Sequence, residues 1–200
     1  MQSVLARVSV SRWITQGWDL FLKDIGTFAL IGVVSLLFLH IPFVWGPVWS
    51  AMIYAALRLL ETGRVSIDDY FEGFRFFLPA LLASLLIMLL TFLGLLLLVI
   101  PGLVIFAMYI FTFAYVTQSG QDFGSAMRAS RQAASRDYFG FTLFMLALAG
   151  LNLLGALFFY VGLVFTLPVS ACAVAIAFRE FQGLPTQPSP PPPSQPITVV

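Results

Sequence analysis

The chain has 200 residues, 60% of them hydrophobic and only 10% charged, with a mean hydropathy of +0.97 and a formal net charge of +1. Ordinary globular domains carry about 25% charged residues, and no soluble fold of this length has interior enough to hide so much apolar surface. The near-zero charge argues against a nucleic-acid partner, and a lone Cys172 excludes an internal disulfide or a multi-cysteine metal site, so the expectation is a membrane protein.

Residues 1–24 read as an amphipathic helix. Val10, Trp13, Ile14, Trp18, Phe21 and Ile25 recur at helical spacing, opposite Arg12, Gln16, Asp19 and Lys23. Such a helix either lies at the membrane–water boundary or extends the first span. Arg7, Arg12 and Asp19 interrupt the apolar core that a cleavable signal would need.

Residues 25–182 are expected to form a domain of six transmembrane helices. Ile25 to Leu57 is uncharged but broken by Pro42 and Gly46-Pro47; it makes two spans if the first begins near Trp18 and the second runs to Glu61. Thr62-Gly63 is a helix stop, and Ser66 a plausible N-cap, with Asp68 and Asp69 in the first turn of a short connector helix. From Phe76 to Gln121 there are 46 residues without an Asp, Glu, Lys, Arg or His. A span needs roughly 20, so this run reads as a hairpin, Leu78–Val99 and Leu103–Thr117, reversing at Pro101-Gly102. A second connector follows, with Phe123, Ala126, Met127, Ser130, Ala133 and Ala134 on one face and Arg128, Arg131, Gln132 and Ser135 on the other. Tyr138 to Phe178 forms a third hairpin turned at Tyr160-Val161-Gly162, with a kink at Pro168. Residues 183–200 hold seven prolines and no charge, which predicts a disordered proline-rich tail. Its Pro188-Ser189-Pro190-Pro191 fits a PxxP ligand pattern.

The fold class is therefore all-α membrane protein, three hairpins with cytoplasmic amphipathic connector helices. All ten Lys and Arg residues fall on one side of that layout, which the positive-inside rule makes cytoplasmic, together with both termini. The nine acids share that side, so pairing between connectors is expected. Asp69-Tyr70-Phe71-Glu72-Gly73-Phe74 and Asp137-Tyr138-Phe139-Gly140-Phe141 share a pattern, with Trp18-Asp19-Leu20-Phe21 as a looser copy, suggesting a repeated hairpin.

Five stretches in this order and spacing carry a family resemblance. They are Gly17–Phe21, Asp68–Phe74, Leu97–Gly102, Ala126–Arg131 and Asn152–Pro168. Over about residues 10–183 the chain resembles a group of uncharacterised bacterial multi-pass inner-membrane proteins, itself similar to the membrane domain of glycerophosphoryl diester phosphodiesterases. The resemblance implies a six-helix bundle in the bacterial inner membrane and no chemistry of its own, because in the fused proteins catalysis belongs to a separate soluble domain.

No reactive constellation emerges from the residues themselves. His40 lacks partners for a metal site, and every acid falls on the opposite face from it. No cofactor is expected, and no catalytic activity. Arg128, Arg131 and Arg136 are candidate contacts for lipid phosphates, with pairing to Asp68, Asp69 or Glu72 as the structural alternative. Asn152 is the most polar residue expected at membrane depth, marking either a cavity or an interhelical hydrogen bond. Ser84, Thr91, Thr112, Ser170 and Cys172 fit ordinary helix interfaces. The leading reading is a scaffold or accessory component organising lipids or a partner protein. The alternative is a small transporter or lipid-handling protein with a mid-membrane cavity, for which Pro42, Pro47, Pro101 and Pro168 are the pointers.

Overall fold

The computed structural model describes residues 8–188 except 39, 42, 121 and 159. Helix takes up 82% of these residues and no strand occurs among them, which establishes an all-α fold. The proline run from 189 onward lies outside the described residues, as do Arg7 and Pro42.

Helix α1 (Val10–Lys23) buries Trp13, Gly17, Leu20 and Phe21 along α10 and leaves Trp18 exposed, so the packed stripe is displaced from the one the spacing suggested. The chain then bends by 102° into α2 (Ile25–Phe38), which excludes a straight extension of the first span. Asp24 is the cause. Its backbone leaves the helical region, its N–H caps α1 at Phe21 O, and its carboxylate accepts the Thr27 N–H at 3.1 Å to start α2. Fourteen residues give α2 a length of about 21 Å, short of the roughly 30 Å hydrocarbon core.

Helix α3 (Trp45–Thr62) ends on Gly63 in the left-handed conformation, as the sequence indicated. It is central rather than lipid-facing, with thirteen of its residues buried, and Arg58 and Glu61 lie in its last turns. A capping box between Ser66 and Asp69 opens α4 (Ile67–Glu72), which runs through a 3-10 turn (Gly73–Phe76) into α5 (Phe77–Leu97).

The reversal after α5 comes at Leu98, which is fully extended, and not at Pro101-Gly102. Pro101 sits in the first turn of α6 (Val99–Met108), where a missing N–H costs nothing. Gly102 serves close approach instead: a β-carbon there would stand 2.7 Å from the Leu95 backbone nitrogen. The returning arm is itself broken before α7 (Thr112–Ser119). At the break Phe111 N–H donates to Ser130 Oγ (3.1 Å), whose hydroxyl donates to Met108 O (2.9 Å). Ser130 comes from α8 (Phe123–Ala134), whose buried face is Ala126, Met127, Ser130, Ala133 and Ala134.

Helices α9 (Tyr138–Leu157) and α10 (Leu163–Phe181) turn at 158–162, with Tyr160 at positive φ. Four stretches are long and apolar enough to cross a membrane: Ile67–Leu96, Pro101–Gln118, Tyr138–Leu157 and Leu163–Phe181. The bent α1–α2 pair would make a fifth, and α3 is not among them, so the expected six are not all present as such. Outward faces of α5 and α9 are continuous Leu, Met and Phe, with Leu96 71% and Phe139 81% exposed. A belt of that extent belongs against acyl chains.

The three copies of the aromatic pattern share letters but not surroundings. Tyr70 is fully buried and hydrogen-bonded to Ser35 (3.0 Å), whereas Tyr138 is exposed; Asp69 lies inside α4, whereas Asp137 caps α9. Trp18 lies mid-helix in α1.

Candidate functional site

A cavity of about 280 Å³ opens in the bundle among α3, α5, α6, α7, α9 and α10. It approaches the lower end of ligand-pocket volumes and is nearly twice the ~150 Å³ that accommodates benzene. No charged residue lines it. Trp45 and Trp49, one turn apart around Pro47 at the start of α3, form one wall. The unwound turn between α6 and α7 supplies Tyr109 and Ile110, and α9 supplies Met145, Leu148, Ala149 and Asn152. Met52 and Val174 in its lining are buried while Ala149 is exposed, so the cavity runs from the surface inward. Ala149 shares its face of α9 with exposed Leu146 and Leu153, part of the apolar belt.

Asn152 makes an interhelical hydrogen bond and also borders the cavity. Its Nδ2 donates to Ser170 Oγ on α10 and to Leu148 O, each at 2.9 Å, and the Ser170 hydroxyl donates to Thr166 O at 2.7 Å. The opposite amide orientation would set Oδ1 against a carbonyl, so this one is fixed by the network. Oδ1 itself is buried with no partner among the described residues. The same residue lines the cavity, whose walls are otherwise almost wholly apolar.

Charged groups gather at the other end of these helices. Arg12 pairs with Glu180, whose second oxygen accepts Trp13 Nε1 at 2.7 Å. Arg58 pairs with Asp69 at 3.3 Å, Arg75 with Glu72 at 3.1 Å, and buried Arg179 lies 3.9 Å from Glu61. A smaller polar pocket of about 170 Å³ opens there beside Arg58, Glu61 and Arg75. Pairing is thus within the α3–α4 region and onto α10; no ion pair joins α8 to α4 among the described residues. Arg128, Arg131 and Arg136 are all exposed. Ahead of them Asp122 caps α8, and hydrogen bonds from the Ser125 hydroxyl, with those from the Ser125 and Gly124 amides, hold its carboxyl below the usual range. The cap therefore persists to lower pH than an ordinary aspartate would allow.

His40 is exposed, its Nδ1 beside Leu36 O, and no group of three metal-ligating side chains occurs among the described residues. Ser84, Thr112, Ser170 and Cys172 are buried at helix contacts. Reasoning from sequence missed Trp45, Trp49 and Tyr109, and placed Ser130 on the buried face of α8 without its bridge to Met108 and Phe111. Pro47, one residue pair from both tryptophans, was the available signal. Searches against family models, curated proteins and solved structures return no match to this chain.

Proposed function

We propose that this is a non-catalytic lipid-handling membrane protein that admits one apolar chain, of the acyl type, sideways from the bilayer into the cavity beside Asn152. The observation carrying this reading is the uncharged cavity whose mouth, at Ala149, lies among lipid-facing leucines. A channel for polar solutes would need hydrated walls, and a scaffold would have no use for an unfilled space, since interiors normally pack without voids. Of the four proline pointers, Pro47 and Pro168 stand within two residues of the lining residues Trp49 and Leu167, Pro101 does not border the cavity, and Pro42 lies outside the described residues.

In the orientation we propose, the ion-paired end faces the cytoplasm of a bacterial cell, with the inner membrane as the site and the uncharged turns at Leu98 and 158–162 outside. The six-span, three-hairpin layout would then require the α1–α2 pair and α3 each to count as a crossing.

Native mass spectrometry of the protein released from mild detergent tests the reading. Wild type is expected to retain a lipid adduct that Leu148→Trp, which fills the cavity, loses while unfolding at a similar temperature. Equal retention by a folded Leu148→Trp protein would refute it.

A further inference from the structure

The described basic residues divide into two sets: Arg12, Arg58, Arg75 and Arg179 are ion-paired, and Lys23, Arg64, Arg128, Arg131 and Arg136 are not. Three of the unpaired five fall within nine residues of one another, on α8 and the turn that follows it. We infer that this face of α8 is a docking surface for the phosphate groups of anionic phospholipids in the membrane leaflet it meets. The inference is independent of the cavity.

Depth is the first argument for a lipid rather than a soluble partner. Arg136 precedes by two and three residues Tyr138 and Phe139, the latter 81% exposed, and Leu143 and Leu146 carry the same exposed apolar surface on along α9. Arg136 therefore stands where the hydrocarbon-facing belt begins, which is the headgroup level, with aromatic side chains at the boundary, and Arg131 and Arg128 precede it by five and eight residues on α8. Rigidity is the second. Ser130, between Arg128 and Arg131 and fully buried, bridges Phe111 and Met108 in the spanning arm, so α8 cannot swing away from the bilayer surface without breaking both bonds. Charge is the third. The nearby acids cap helices, Asp122 α8 and Asp137 α9 through Gly140 N–H at 2.8 Å; neither forms an ion pair with these arginines, Asp122 being close enough to Arg128 only for a longer-range attraction. Guanidinium suits phosphate because it offers paired donors in a fixed plane.

The test is lipid retention in nanodiscs of phosphatidylcholine mixed with phosphatidylglycerol, quantified on the protein after extraction. Wild type is expected to enrich phosphatidylglycerol by about fivefold for each arginine engaged, an enrichment that falls as salt rises. Arg128→Gln/Arg131→Gln/Arg136→Gln should abolish it with the protein still folded, while Lys23→Gln/Arg64→Gln, which also removes unpaired charge, should keep it. Enrichment surviving in the triple variant, or lost equally in the control, would overturn the assignment. So would full competition by inorganic phosphate, which would mark a soluble-anion site, or no enrichment in wild type, which would leave an acidic protein as the occupant.

Discussion

Gly32→Ala is expected to destabilise the protein by about 1–3 kcal/mol, the range for forcing extra volume into a packed contact, while Gly26→Ala in the same helix should be neutral or slightly stabilising. Pro168 has no N–H, so the carbonyl four residues earlier in α10, that of Val164, loses its helical donor. Gly32 of α2 packs directly onto that oxygen, and a β-carbon at position 32 would overlap it. The glycine thus lets α2 approach the carbonyl that Pro168 leaves without its helical donor. Nothing lies within 4 Å of a β-carbon at Gly26. Unfolding of both variants in one detergent compares them directly; equal stabilities would show that the α2–α10 contact is not rigid.

Trp13→Ala is expected to be the most damaging single truncation, at about 3–5 kcal/mol. The indole is fully buried, meets Phe144 at 5.0 Å and Phe181 at 5.8 Å edge-on, and donates to Glu180. Removing it leaves a cavity between α1, α9 and α10 and strips Glu180 of one partner. Trp13→Phe should cost less, because one aromatic ring remains against Phe144 and Phe181; it loses the smaller ring's contacts and the N–H, whose hydrogen bond to a charged acceptor contributes about 1.5–3 kcal/mol. Denaturant titration ranks the two, and a Trp13→Ala protein of near wild-type stability would mean that α1 is not held on α10.

Local rules made some of this legible. Gly63 at a helix stop, Ser66 with Asp69 at a helix start, and the apolar stripe of α8 follow from near-neighbour geometry, and the structure has them where composition and spacing put them. What the spacing could not reveal depended on side-chain hydrogen bonds, some local and some between segments far apart in the chain. Asp24 acts as stop and start at once, bending α1 from α2, because Thr27 supplies the amide its carboxylate needs. The break at 109–111 is satisfied by Ser130, nineteen residues beyond Phe111. Pro101-Gly102 resembled a reversal because the same two residues also suit the first turn of a closely packed helix. Asn152 was visible as the odd polar residue in an apolar run; that it would both bridge α9 to α10 and border a cavity required the positions of Ser170, Trp45 and Trp49, which no periodicity encodes.

The most direct test of the cavity as a chain-binding site is quenching of its tryptophans by a brominated alkyl chain added to the detergent-purified protein. Trp45 and Trp49 line the cavity, and Trp13 and Trp18 do not. The account predicts saturable quenching in wild type, absent in Trp45→Phe/Trp49→Phe and in Leu148→Trp. Quenching that rises without saturation, or that is unchanged in Trp45→Phe/Trp49→Phe, would contradict it.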